Sequence, residues 1–184
     1  MVGTGIYDKA KVLKRTMIVS PDGTMLFDQN EGRQYLHGKP ELDNWFIGDD
    51  CLVTVPRLVL GGFCQINAGA FILGRETVKI GRGSVVSYGV KILTSTDCPD
   101  PQSGRKHNDF DPEDQRLIKS APITIGKECF VGADSTLMPG VVLPDKTVIP
   151  AGAFVEEKNG ETVYQHWKFG KVPVKELIPR SATE

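Results

Sequence analysis

The chain has 184 residues, a formal charge of -1, a pI near 6.3 and 40% hydrophobic residues. That length fits one domain with a continuous core, and the balanced charge gives no electrostatic reason to expect nucleic acid or an anionic membrane surface as a partner. No apolar run approaches the roughly 20 residues of a membrane span and the N-terminus has no hydrophobic signal region, so the expectation is a cytoplasmic protein with reduced thiols.

Residues 1–46 carry no regular repeat. Within them Met17–Val19 and Met25–Phe27 flank Ser20-Pro21-Asp22-Gly23, which reads as a hairpin. The segment is expected to cap the open first coil of the repeat region that begins at Ile47, with Trp45 and Phe46 as capping core.

From Ile125 an aliphatic residue recurs at every sixth position through Val131, Leu137, Leu143, Ile149 and Val155. The same phase runs earlier as Ile47, Val53, Val59, then Ile66, Ile72, Val78, then Ile80, Val86, Ile92, with two small register shifts. A period of six fits neither an amphipathic helix nor an alternating strand. It places one inward side chain on each face of a triangular coil, so about three hexads make one turn of a stacked β-helix. Four positions after each aliphatic residue a compact side chain is expected at the corner: Cys51, Ala70, Ser84, Val90, Thr96, Cys129, Ser135, Val141, Thr147 and Ala153. Arg57 and Phe63 break that rule, which predicts an irregular first coil. Gly48, Gly81, Gly126 and Gly132 follow directly after aliphatic positions, where the backbone needs positive φ or close approach.

The hexads therefore span 47–155, with a polar excursion at 97–121 too long for a simple connection, and residues 156–184 read as a tail folding back along the prism. Four cysteines lack zinc spacing, and His37, His107 and His166 are too dispersed for a three-histidine metal site, so no metal is expected. Cys98 has no neighbouring histidine to activate a thiolate.

The stretch NAGAFILGRETVKIG beginning at Asn67, and APITIGKECFVGADSTLMPGVVLPDKTVIPAGAFV ending at Val155, resemble the hexapeptide-repeat acyltransferases, most closely the galactoside and maltose O-acetyltransferase branch. The resemblance covers about half the chain. Gly74 stands where those enzymes have Asp, and Phe130 where they have Trp. It implies an all-β, left-handed parallel β-helix assembled as a homotrimer, with acetyl-CoA as co-substrate and a sugar-like hydroxyl or amine as acceptor. By the same carry-over, Gly132, Ala133, Ala151 and Gly152 line the pantetheine arm, Lys158 approaches the adenosine phosphates, and Asn67 orients the acceptor.

The family's histidine base falls here on Asp97. A carboxylate near pKa 3.9 is a poorer base at neutral pH than an imidazole near 6.5. Three readings stay open: Asp97 is the base, its pKa raised by burial between subunits; His107 reaches the site from the excursion; or the chain is a non-catalytic binding or scaffold subunit.

Overall fold

A computed structural model of the chain describes residues 45–97 and 117–165 in full, together with the backbone of residues 5–6, 11–12, 17–19, 25–28, 166 and 170–173. Every regular element among the described residues is a β-strand, and most are stacked in parallel as a left-handed β-helix of about five turns. No helix among them is long and apolar enough to cross a membrane.

Three sheets form the faces of the prism. Face A stacks Gly5–Ile6, Phe46–Ile47, Gln65–Ile66, Val85–Val86, Phe130–Val131 and Val148–Ile149. Face B stacks Lys11–Val12, Leu52–Val53, Phe71–Leu73, Lys91–Leu93, Thr136–Leu137 and Phe154–Lys158. Face C stacks Met17–Val19, Arg57–Leu60, Val78–Ile80, Ile123–Ile125 and Val142–Leu143. The expected hairpin is present, since Met17–Val19 pairs antiparallel with Met25–Asp28, while its first strand also lies parallel to Arg57–Leu60. At the other end Glu161–His166 and Gly170–Pro173 add antiparallel strands to face B, and residues 174–184 of the expected tail lie outside the described residues.

The core is three aliphatic columns, each strand placing its residue directly over the one before. Ile47, Ile66, Val86, Val131 and Ile149 line face A, and Val53, Ile72, Ile92, Leu137 and Val155 line face B, all fully buried. On face C the column is Leu60, Ile80, Ile125 and Leu143, so the inward residue of the first hexad set is Leu60 rather than Val59. Val59 pairs with Lys79 and points outward. The one-residue slip explains the Phe63 exception, because the corner residue becomes Cys64, which is buried, and Phe63 becomes an exposed turn residue with φ of 61°; exposed Arg57 stays in a lengthened step, so the first coil is irregular there as expected. Each buried aliphatic side chain contributes about 1.5–3 kcal/mol relative to exposure.

Compact corner residues do more than save space. Ser84 Oγ donates to Gly126 O at 2.7 Å and accepts from Cys129 N at 3.0 Å. Cys64 Sγ donates to Gly81 O at 3.1 Å, Thr147 Oγ1 to Pro144 O at 2.7 Å and Ser135 Oγ to Pro150 O at 2.8 Å. These bonds satisfy carbonyls that the turn leaves without a strand partner. Thr96 is expected in this set from its spacing, yet Thr94 is the buried residue, because the chain has already left the coil by Thr96. Gly81 and Gly132 serve close approach, not positive φ: a Cβ on Gly81 would meet Gly126 C of the next turn at 2.5 Å, and one on Gly132 would collide with Ala151 N.

The register assignment predicts that Leu60→Ala lowers unfolding free energy by about 2–5 kcal/mol, as cavity formation in a close-packed core does, while Val59→Ala, outside the column, costs less. Chemical denaturation distinguishes them, and equal losses would contradict the column. Burial raises the thiol pKa of Cys51 and Cys129 and pushes that of Cys64 up to about 11. Above an unfolded thiol's pKa of about 8.5, the unfolded chain sheds protons that the folded chain keeps, so stability is full below that pH and falls as pH rises toward 11. Denaturation midpoints measured from pH 7.5 to 10.5 should decline, and Cys64→Ser should flatten the slope.

Candidate functional site

Two of the prism's three corners are tight and regular, and the third carries every insertion. Along the corner between faces A and B the turns lock together in sequence: Gly69 N donates to Asp49 O at 2.9 Å, Gly89 N to Ala68 O at 3.2 Å, Asp134 N to Tyr88 O at 2.9 Å, and Gly152 N to Ala133 O at 2.7 Å. The corner between faces B and C instead lengthens: Leu60 follows Val53 by seven positions, Ile80 follows Ile72 by eight, and the whole excursion separates Ile92 from Ile125.

Five of the sequence-predicted residues fall on the regular A–B edge. Asn67 is half-buried, with its side-chain Nδ2 donating to Val86 O at 3.2 Å and its backbone carbonyl accepting from Cys51 Sγ at 3.1 Å. Its side-chain amide thus has a hydrogen bond to the framework, which fixes its orientation. Gly132 is buried and Ala133 half-buried, while Ala151 and Gly152 form the exposed last step of the edge. Gly152 has φ of 71°, and a Cβ built there would meet nothing within 4 Å, so open space lies beside this backbone.

The same edge contains a residue that the family motifs do not single out. Asp49, Ala68, Tyr88, Ala133 and Ala151 occupy equivalent corner positions, and Tyr88 alone brings a large side chain, 62% exposed, between Asn67 and the small-residue corners. Its signal in the sequence is that of the one aromatic in a column of small residues. Phe130, also exposed, stands on neighbouring face A.

Asp97 lies elsewhere. Ser95–Asp97 leaves the B–C corner and pairs antiparallel with Ile118–Ser120, placing an exposed Asp97 opposite Ile118 at the base of the excursion. Ala121 N donates to Thr94 O at 3.0 Å where the chain re-enters the coil. Lys119 Nζ reaches Glu157 O at 3.2 Å and Glu157 Oε2 at 3.5 Å, tying the returning strand to the end of face B. The backbone N–H of Gly160 on its carboxylate, more than Lys119, holds Glu157 below the usual carboxylate range. Lys158, exposed, sits beside Glu157 at that far end of face B, away from Ala151 and Gly152. One prism therefore separates Asn67 and the small-residue corners from Asp97 and Lys158 by the width of face B. His37 and His107 lie outside the described residues, as does the side chain of His166. Among the described residues no group of three His, Cys, Asp or Glu side chains converges as a metal site.

Residues 122–157 match the family model described as the hexapeptide repeat of succinyl-transferase. That segment carries the hexapeptide repeat. Over 91 residues the chain is 26% identical to WbbJ of Escherichia coli K12, described as an O-acetyl transferase of lipopolysaccharide biosynthesis; the match covers 50% of this chain and 46% of that one. The chain thus spans about half the length of this curated relative. Among solved structures, AntD from Bacillus cereus, an N-acyltransferase in complex with dTDP and 3-hydroxybutyryl-CoA, superposes with a TM-score of 0.56 at 15% identity, over 83% of this chain and 74% of that one. The AntD S84C mutant, bound to dTDP-4-amino-4,6-dideoxyglucose and coenzyme A, gives a TM-score of 0.52 at 15% identity over 84% and 78%. Likenesses at this identity establish a shared fold. These relatives do not single out the galactoside and maltose branch.

Proposed function

We propose that the chain is an acyl-CoA-dependent acyltransferase that moves an acetyl group from acetyl-CoA to a hydroxyl or amine of a sugar-like acceptor in a direct ternary complex. The observation that carries this reading is the exposed Ala151–Gly152 step, which has open space beside its backbone and lies within the segment matching the transferase repeat. An extended amide such as the pantetheine arm can run along a glycine-bearing backbone much as an added strand does. The crystals of AntD with acyl-CoA, coenzyme A and a dTDP-linked amino sugar support the same ligand classes on this kind of prism.

In the proposed reaction the acceptor oxygen or nitrogen attacks the thioester carbonyl. The new C–O or C–N bond forms as the C–S bond breaks, coenzyme A leaves as the thiolate, and the acceptor's proton passes to a base, Asp97 or His107. An amine acceptor asks less of a carboxylate, because a free amine attacks first and loses its proton late. The proposed assembly is a homotrimer. Asn67 and Asp97 stand on different edges of one prism, and a neighbouring copy brings its Asp97 arm to the Asn67 edge.

Thermal unfolding with acetyl-CoA tests the reading directly: saturation at 100 times Kd adds about 2.7 kcal/mol of stability. Ala151→Trp, which fills the open edge, should abolish that gain while leaving the unliganded midpoint unchanged. No stabilisation of the wild-type chain at millimolar acetyl-CoA would favour the scaffold reading instead.

Alanine variants separate the two bases once an acceptor is identified. Loss of the general base should lower kcat by about 10²- to 10⁴-fold. The proposal favours Asp97, with Asp97→His retaining or raising O-acetylation, since imidazole is better matched to neutral pH. Unchanged kcat/KM in both Asp97→Ala and His107→Ala would exclude either residue as the base.

A further inference from the structure

A second surface, on face C, has a chemistry that the transfer reading does not use. A groove of about 880 Å³ runs across this face from the B–C corner to the C–A corner. That volume lies within the range of small-molecule sites. Four cations line it: Arg57 at the B–C side, Lys79 in mid-face, and Arg82 and Lys127 at the C–A corner. All four are exposed, and no ion pair to any of them is found among the described residues.

The two corner cations are stacked by the fold itself. Glu128 N donates to Arg82 O at 2.8 Å and Lys146 N to Lys127 O at 2.7 Å, so Arg82, Lys127 and Asp145 occupy one position in successive turns. Gly81 and Gly126 permit this close stacking, and the turns are separated by the ordinary strand spacing of about 4.8 Å. Two like charges one strand apart repel unless an anion lies between or across them. The groove also holds two carboxylates, which keep their charge while accepting neutral donors: Asp145 Oδ1 accepts the backbone N–H of Lys127 at 2.7 Å, and Glu76 Oε1 accepts from Ser120 Oγ at 3.0 Å, so the four cations still outnumber them. Arg82 lies 4.7 Å from the centroid of Phe63, an aromatic face that holds the guanidinium at the rim. Val59, on the outward side of its strand, supplies an apolar floor.

We propose that this groove binds an organic diphosphate, with Arg82 and Lys127 on the paired phosphates, Lys79 and Arg57 extending the positive field, and the organic part over the Val59 floor. The cations stacked one strand apart match two linked anionic groups, and the volume exceeds what a bare diphosphate fills. The site is separate from the A–B edge and does not depend on the transfer reaction.

Calorimetric titration of the full chain with uridine diphosphate and with inorganic pyrophosphate, each at two salt concentrations, tests the site. Both should bind, more weakly at high salt because exposed charges are screened, and uridine diphosphate more tightly than pyrophosphate. Lys79→Gln and Lys127→Gln should each weaken uridine diphosphate about fivefold or more, whereas Lys91→Gln, a cation on face B, should leave it unchanged. Circular dichroism of each variant establishes that it is folded. Absence of binding at millimolar ligand, equal affinity for the two probes, equal losses in the Lys91→Gln control, or loss of uridine diphosphate binding in Ala151→Trp, which blocks the A–B edge instead, would each overturn the assignment.

Discussion

Everything in this molecule depends on how closely one turn of chain can lie on the next. Strands stack at the ordinary hydrogen-bonding separation, and the corners must keep the same separation or the ladder breaks. That constraint explains why glycine stands at 81 and 132, where a Cβ would occupy the backbone of the following turn. It also explains the small hydroxyls and thiols behind the corners, whose bonds to carbonyls such as Gly126 O and Pro150 O hold turn to turn. Aliphatic burial supplies the driving force, while the close approach selects this stacked arrangement.

Buried aliphatic columns fill the interior of the prism, so the candidate sites lie on its edges and faces. The A–B edge stays regular and offers an exposed backbone at its C-terminal step. The B–C edge takes up all the irregular length, culminating in the arm that carries Asp97. Extra residues are tolerated there because they leave the coil through a short antiparallel ladder and return to the same register, with Ile123 and Ile125 stacked directly on Val78 and Ile80. The prism therefore gains a long polar excursion without disturbing the column below or above it. Face C carries its charge outward on strands whose other side is fully buried, which fixes the positions of Lys79 and its neighbours without any cost to the core.

The sequence by itself determined the solenoid, because a six-residue period is a property of one turn of chain and needs no long-range information: Ile125 to Val155 fall in their columns as the spacing requires. It also marked the excursion and the hairpin, both signalled by local composition. Where it erred, the cause was a one-residue ambiguity between adjacent aliphatics: Val59 and Leu60 are equally apolar, and only the pairing of Leu60 with Ile80 decides which faces inward. Tertiary structure alone decided the grouping of the site. Asn67 and Gly152 are 85 positions apart yet share an edge, whereas Asp97, nearer to Asn67 in sequence, leaves from another. The cationic groove was invisible for the same reason: Arg57, Lys79, Arg82 and Lys127 form no motif along the chain, and become one surface only when successive turns are laid one upon another.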